Sequence, residues 1–485
     1  MPARCALLIT RLRRSWRQDE RVVGIWATRT ECDRPVFFIH KRGQRSAVVV
    51  GNIRNSMRRH WMHHWRFFAV FAACVAMGQL GGAAEWPQWR GPNRDGIAPE
   101  KGLMKKWPAE GPPLLWQMRG AGTGYSSVSI VGNRLFTMGD LPDGGKKSQF
   151  IIAFDLTTQQ RVWTAKVGPP HSDGSRCTPT VVDGLVYAIG TDGDLVCVQA
   201  ADGKEVWRRH FQKDFGGRMM SGWRYSESPL VDGERVICTP GGPQAALAAL
   251  NRKTGEIVWK CAPPPGNDMG GAGYASVVIS NGGGVKQYVT VMGRGAIGAA
   301  ADDGRFLWKY GRIANGTANI PTPVCDGDYV FVSTAYRTGA ACLKLSRDGN
   351  GVRAEEVYFL GPDVFQCHHG GFVLIGKHIF GSHGHNAGNP ICVELATGKV
   401  VWKEKQLGRG SGAMMAADGC LYYRYEDNTV ALIEANPERY NLLSSFKAPA
   451  SANGGGPGWP HLVILDGRMY MRHNDVISCF DLRAK

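Results

Sequence analysis

The chain has 485 residues, with 58 Lys/Arg against 41 Asp/Glu and a formal net charge of +17. Fifteen of those cations but only four of the acids fall in residues 1–66, so the remainder carries +6 with no cationic blocks, which excludes a nucleic-acid-binding polycation. The 64 glycines, about 13% of the chain and roughly twice the usual share, follow no low-complexity period; they exclude a long helical bundle and point to tight turns between short strands.

Residues 1–56 are arginine-rich and lack a period; they read as an overextended start without structure. Met57–Arg66 is cationic, Phe67–Met77 is apolar, and small residues follow through Gly82, Ala83 and Ala84. Cationic, apolar and small-residue regions in that order make a secretory signal peptide over 57–84, with cleavage near Ala84 and export of residues 85–485. The apolar run is too short to span a bilayer. A lipid anchor on Cys74 is the alternative, on a poor acylation context.

One repeat organises the rest. Ala153–Trp163, Cys197–Trp207, Ala249–Trp259, Gly298–Trp308 and Cys392–Trp402 superimpose without gaps, each the end of a strand, a turn and a strand closing on tryptophan. The first has Gln159 where the others have glycine. The Trp-to-Trp steps are 44, 52, 49 and 94, the last being two steps with a degenerate copy from Cys342 that places Tyr358 near the tryptophan position. A second weak copy runs from Leu432 to Phe446. In phase with these lie eight hairpin signals, at Gly132-Asn133, Asp183-Gly184, Asp232-Gly233, Asn281-Gly282, Asp326-Gly327, Gly376-Lys377, Asp418-Gly419 and Asp466-Gly467. Units of about 45–50 residues with four short strands each are propeller blades. The tryptophan strand around Trp116 lacks preceding strands, and the strands ending at Leu482 lack a tryptophan strand. Joined, they complete an eighth blade and close an all-β, eight-bladed ring.

The pattern small-x-Asp-x-x-Thr-Gly-x-x-x-Trp, nearest at Ala249–Trp259 and Cys392–Trp402, resembles the tryptophan-docking repeat of the pyrroloquinoline quinone (PQQ) enzymes and of their non-enzymatic relatives, including the BamB-like scaffolds of outer-membrane assembly. Trp86–Gly96 (WPQWRGPNRDG) is similar to the start of secreted bacterial propellers of that repeat type. The resemblance implies the fold and leaves the chemistry open. A quinoprotein dehydrogenase would need adjacent bridged cysteines above PQQ, an acidic and an amide ligand for Ca2+, and an aspartate base. The sequence has no Cys-Cys pair and no Cys-x-x-Cys-His. Glu227 and Asn319 are the nearest calcium-ligand types, and neither PQQ nor Ca2+ is the expected cofactor.

Ten cysteines follow residue 85, yet Cys197, Cys342, Cys392 and Cys479 occupy a position filled elsewhere by Ala153, Ala249 and Gly298. They read as small packing residues rather than disulfides. Five histidines lie in 368–385; strand alternation predicts that His368 and His369 cannot both face the channel, and no metal site is expected. Ser411 lacks the flanking glycines of a nucleophile elbow, and no phosphate loop occurs.

The ligand site is expected where loops leave each tryptophan strand for the next innermost strand. Those loops hold Arg176, Arg224, Tyr225, Glu227, Tyr274, Asn319, His368, His369, Trp459 and His461, suited to an anionic or planar ligand or a peptide. The expectation is therefore a periplasmic or secreted binding and assembly scaffold that engages an envelope protein or peptide segment by loops or an added strand, membrane-peripheral at most, without nucleic acid. The alternatives are a dehydrogenase-like enzyme with a divergent quinone site, and a carbohydrate or small-molecule binder using Trp223, Trp459 and Tyr225.

Overall fold

The computed structural model describes residues 84–450 and 456–484, and the backbone of two strands, Ile25–Arg29 and Pro35–Ile39. Those two strands pair antiparallel, Ile25 opposite Ile39, within the stretch expected to lack structure. The rest of 1–56, and the signal-peptide segment before Ala84, lie outside the described residues.

From Ala84 the chain builds eight antiparallel sheets in sequence order: blades 129–168, 180–210, 230–261, 278–310, 324–360, 372–403, 412–447 and 463–481, the last completed by strand 114–119. The first strand of each blade is innermost, and the tryptophan strand lies at the rim. Ring closure follows the expectation, with Trp116 opposite Cys479, so tail and head share a sheet and leave no open edge between them.

The register explains the repeat. Ala153, Cys197, Ala249, Gly298 and Cys392 lie directly opposite Trp163, Trp207, Trp259, Trp308 and Trp402, and Cys342 lies opposite Tyr358. A bulge follows every one of these pairs. Several of the rings dock on the turn of the next blade: a Cβ at Gly203 would lie 2.6 Å from Trp163, at Gly304 2.4 Å from Trp259, and at Gly398 2.7 Å from Tyr358. The turn glycine is thus required twice, by positive φ and by the ring above it. Gln159 takes the same left-handed conformation (φ 59°) in the first copy. Indole N–H groups of Trp163, Trp207 and Trp402 donate to the carbonyls of Ala200, Arg252 and Asn436 in the following blade, and the Tyr358 hydroxyl does so to Leu395.

The seventh blade has no such ring of its own, since Leu432 faces Ser444. Trp107, from the N-terminal segment, fills the gap. Its amide donates to Ser444 Oγ at 2.9 Å, and its ring sits 5.9 Å from Tyr422, the same separation as Trp163 from Phe136 and Trp402 from Phe380. Seven of the expected hairpins join inner strands by two residues; Asn281-Gly282 instead opens a longer loop with a 3-10 turn, in which a Cβ at Gly282 would lie 2.7 Å from Leu345 of the next blade. The ten described cysteines are all free, and all but Cys325 are buried.

Two buried arginines tie the eighth blade to its neighbours on either side. Arg472 of the eighth blade donates to the carbonyls of Ala121, Gly122, Ser126 and Met138 and to Thr137 Oγ1, all in or leading into the first blade. Arg424 of the seventh blade donates to the carbonyls of Pro460 and Arg472 at 2.8 and 2.7 Å.

Candidate functional site

The N-terminal segment, read from sequence only as a family-like opening, crosses the axis of the ring. Trp86 exchanges backbone hydrogen bonds with Ile130 of the first blade, and Val181 of the second donates to Pro87. Arg94 donates to the carbonyls of Ser228 and Pro229 at the third, and Arg90 to that of Phe372 at the sixth. Ile97–Ala98 then adds a parallel edge to the seventh. Arg90 and Arg94 adopt left-handed backbone conformations, and burial lowers both guanidinium pKa values to about 10. Gly91 is needed beneath the Trp86 ring, which a Cβ would approach to 2.8 Å. Segment 86–96 is thus a plug.

Around it runs a belt of hydrogen bonds. The amides of Ser127, Thr178, Ser228 and Ser276 each donate to the hydroxyl of the equivalent residue one blade on: Thr178, Ser228, Ser276 and Thr322, at 3.1, 2.9, 3.0 and 3.2 Å. The belt spans the first to the fifth blade. Its sequence trace is a hydroxyl residue two positions before each of these inner strands, three of the five followed by proline.

Above plug and belt opens a cup of about 410 Å3. Tyr125, Arg176, Trp223, Tyr274, Tyr336, His368, His369, His385, Trp459 and His461 line it, with Trp89 and Arg90 of the plug beneath. Six of the ten expected residues are therefore here: Arg176, Tyr274, His368, His369, Trp459 and His461. Arg176 is held by Asp173 at 3.0 Å and by the Trp223 carbonyl. Ser221 Oγ and Tyr274 Oη share a hydrogen bond of 2.5 Å. His461 meets Trp89 edge to face at 4.5 Å.

The other four are placed elsewhere. Arg224 points to Asp192 on the outer surface at 3.0 Å. Tyr225 is buried against Phe211, its hydroxyl bonded to the Pro240 carbonyl at 2.9 Å, so a carbohydrate site keeps Trp223 and Trp459 but loses this ring. Asn319 is buried and spent on backbone: its amide nitrogen donates to Met292 and its oxygen accepts from Asn315. Glu227 accepts from the Thr239 amide at 2.6 Å. Neither of the last two lines the cup, and Asn319 Oδ1 and Glu227 Oε1 are each turned to a main-chain amide, so this pair does not fit a quinone-linked calcium site at the cup.

His368 and His369 both face the cup, against the alternation argument, with ring centroids 3.6 Å apart. They lie in an irregular stretch before strand Phe372–Ile375, where alternation does not apply, and Gly371 with φ 65° turns the chain directly after them. Burial, reinforced by each other's charge, pushes the His368 imidazole down to about 2, and burial lowers His369 as well. Behind them lies Glu426 of the seventh blade, which sequence gave no reason to single out. Burial raises its carboxyl, but His369, Trp459 and the Ser411 amide together bring it down to about 2. Imidazoles and aromatic faces thus line the cup, with a carboxylate behind them.

Glu227 has a separate consequence. Burial pushes its carboxyl up to about 7, against the opposing pull of Thr239 and Arg94. A folded-state value above the ordinary one of 4.5 gives a contribution to stability that is full below about pH 4.5 and lost as pH rises through about 7. Glu227→Gln should flatten that slope, seen as a melting temperature that no longer falls between pH 5 and 8 relative to wild type; an unchanged slope would refute the assignment.

The fold and the cup define a class: tryptophan-docked, eight-bladed propellers with an axial recess. Within it, the chain belongs to the family described as outer membrane protein assembly factor BamB, matched over residues 147–404. A BamB of Shewanella oneidensis is 25% identical over 273 residues, 50% of this chain and 60% of its own. The quinohemoprotein alcohol dehydrogenase of Comamonas testosteroni is 29% identical over 126 residues, 24% of this chain and 18% of that enzyme. The chain spans between 52% and 60% of the first two curated relatives. Among solved structures, BamB from Moraxella catarrhalis superposes with a TM-score of 0.53 at 12% identity, covering 77% of this chain and 98% of that one. The Comamonas testosteroni dehydrogenase gives 0.55 at 13%, covering 83% and 81%.

Proposed function

We propose that the protein is an exported scaffold of the bacterial cell envelope that holds a segment of a partner protein at the axial cup. Family membership and relatives named as outer-membrane assembly factors support the scaffold class. The observation that carries the reading is the plug: residues 86–96 close the axis beneath the cup, making it a recess of side-chain or short-peptide size rather than a passage. Trp223, 44% exposed, stands at its rim, an aromatic anchor of the kind binding surfaces use.

The test is a photo-reactive residue at Trp223 in the full chain expressed in a bacterial envelope. A discrete cross-linked partner is expected, lost on Tyr274→Ala or Trp459→Ala while melting stays within a few degrees. Cross-linking indifferent to both substitutions, or none at all, would overturn the reading.

A further inference from the structure

We propose that His368, His369 and Glu426 bind a divalent transition ion, Zn2+ by donor type, in the cup wall between the sixth and seventh blades. Each offers one donor atom, and the three lie within 4.8 Å of one another. His369 Nδ1 stands 3.7 Å from Glu426 Oε1, is buried and has no hydrogen-bond partner. A four-coordinate ion with bonds near 2.0–2.1 Å keeps its donors about 3.3 Å apart, so small inward side-chain rotations complete the set. Two imidazoles and a carboxylate with one position left open are an established zinc donor set, and the open side here faces the cup.

The surroundings are arranged for it. His368 has a hydroxyl partner at each nitrogen, Ser411 Oγ at 2.9 Å from Nδ1 and Tyr336 Oη at 3.0 Å from Nε2; the ion displaces one of these hydroxyls and the other then fixes the ligand imidazole. The Ser411 amide donates to Glu426 Oε1 at 3.0 Å. Trp459 Nε1, also buried without a partner, borders the same carboxylate. By contrast, the cluster Asp192, Asp194 and His210 is already neutralised by Arg224 and Arg208 at 3.0 and 3.2 Å.

The inference is independent of the partner reading, because its test uses the ion alone. The full chain, stripped with EDTA, is titrated calorimetrically with ZnCl2 and spectroscopically with CoCl2. One saturable equivalent of Zn2+ is expected, with a cobalt d–d band of low coordination number. His369→Ala and Glu426→Gln should each weaken binding by more than roughly tenfold and remove the band, since even groups that only support a ligand are worth that much. His378→Ala, away from the cup, should change neither. Circular dichroism checks folding, and should His369→Ala fold poorly, the near-isosteric Glu426→Gln and the wild-type cobalt spectrum decide. No saturable zinc, or binding indifferent to Glu426→Gln, overturns the site.

Discussion

Arg472→Met is expected to lower stability by about 3 kcal/mol or more, read as a fall in the urea midpoint. The guanidinium is about 1% exposed and supplies hydrogen bonds to four carbonyls and one hydroxyl across the seam between the eighth and first blades. Burial lowers its pKa only to about 9, with Asp475 and Asp140 opposing, so it is charged at pH 7. Methionine recovers the charge-burial cost but leaves carbonyls without a donor, each worth about 1–3 kcal/mol when buried. Arg472→Lys keeps the charge yet cannot span both sides of the seam with one ammonium, and should recover less than half the loss. A methionine variant within ~0.5 kcal/mol of wild type would show that strand pairing at Trp116 closes the ring unaided.

Trp86→Ala should cost about 3–5 kcal/mol, the usual range for emptying a buried indole site, and should also release the plug. Trp86 is 2% exposed and joins the largest apolar cluster, where Gly91 lies against its ring. Without the indole, the start of the segment keeps only backbone bonds, two to Ile130 and one from Val181 to Pro87, and Arg90 and Arg94 gain a route to water. Limited proteolysis should then cut after Arg90 or Arg94 in the variant and not in wild type. Equal resistance in both would mean that the arginines alone seat the segment.

Much of the fold was legible because it is periodic. An indole facing a small residue, followed by a bulge and a turn glycine, imposes itself at fixed spacing, and even Tyr358 and Gln159 could be placed by phase. What was not legible was supplied from outside the repeat. Trp107 replaces the ring missing from the seventh blade, and the plug arginines serve carbonyls more than a hundred positions away. At the cup, loop position predicted the six residues on the axial side of their connections. It failed for Tyr225, Glu227 and Asn319, whose neighbours turn them inward to main-chain partners, and it could not reveal Glu426, which enters from a strand end. The histidine pair escapes strand alternation because its backbone is irregular ahead of Phe372–Ile375.

The belt of amide-to-hydroxyl bonds gives the ring two unlike halves. Five consecutive blades are laced one to the next, whereas the sixth has Gly370 at the lacing position and relies on Arg90 reaching across the axis. Beyond the belt the junction is held differently, the Met414 amide donating to the Gly370 carbonyl, the Gly412 amide to Ser382 Oγ and the Tyr423 hydroxyl to the Gly388 carbonyl. The histidine wall stands on the arc that the belt does not reach. Any occupant bridging His369 to Glu426 would therefore act as a clasp, stiffening the wheel where its own stitching stops.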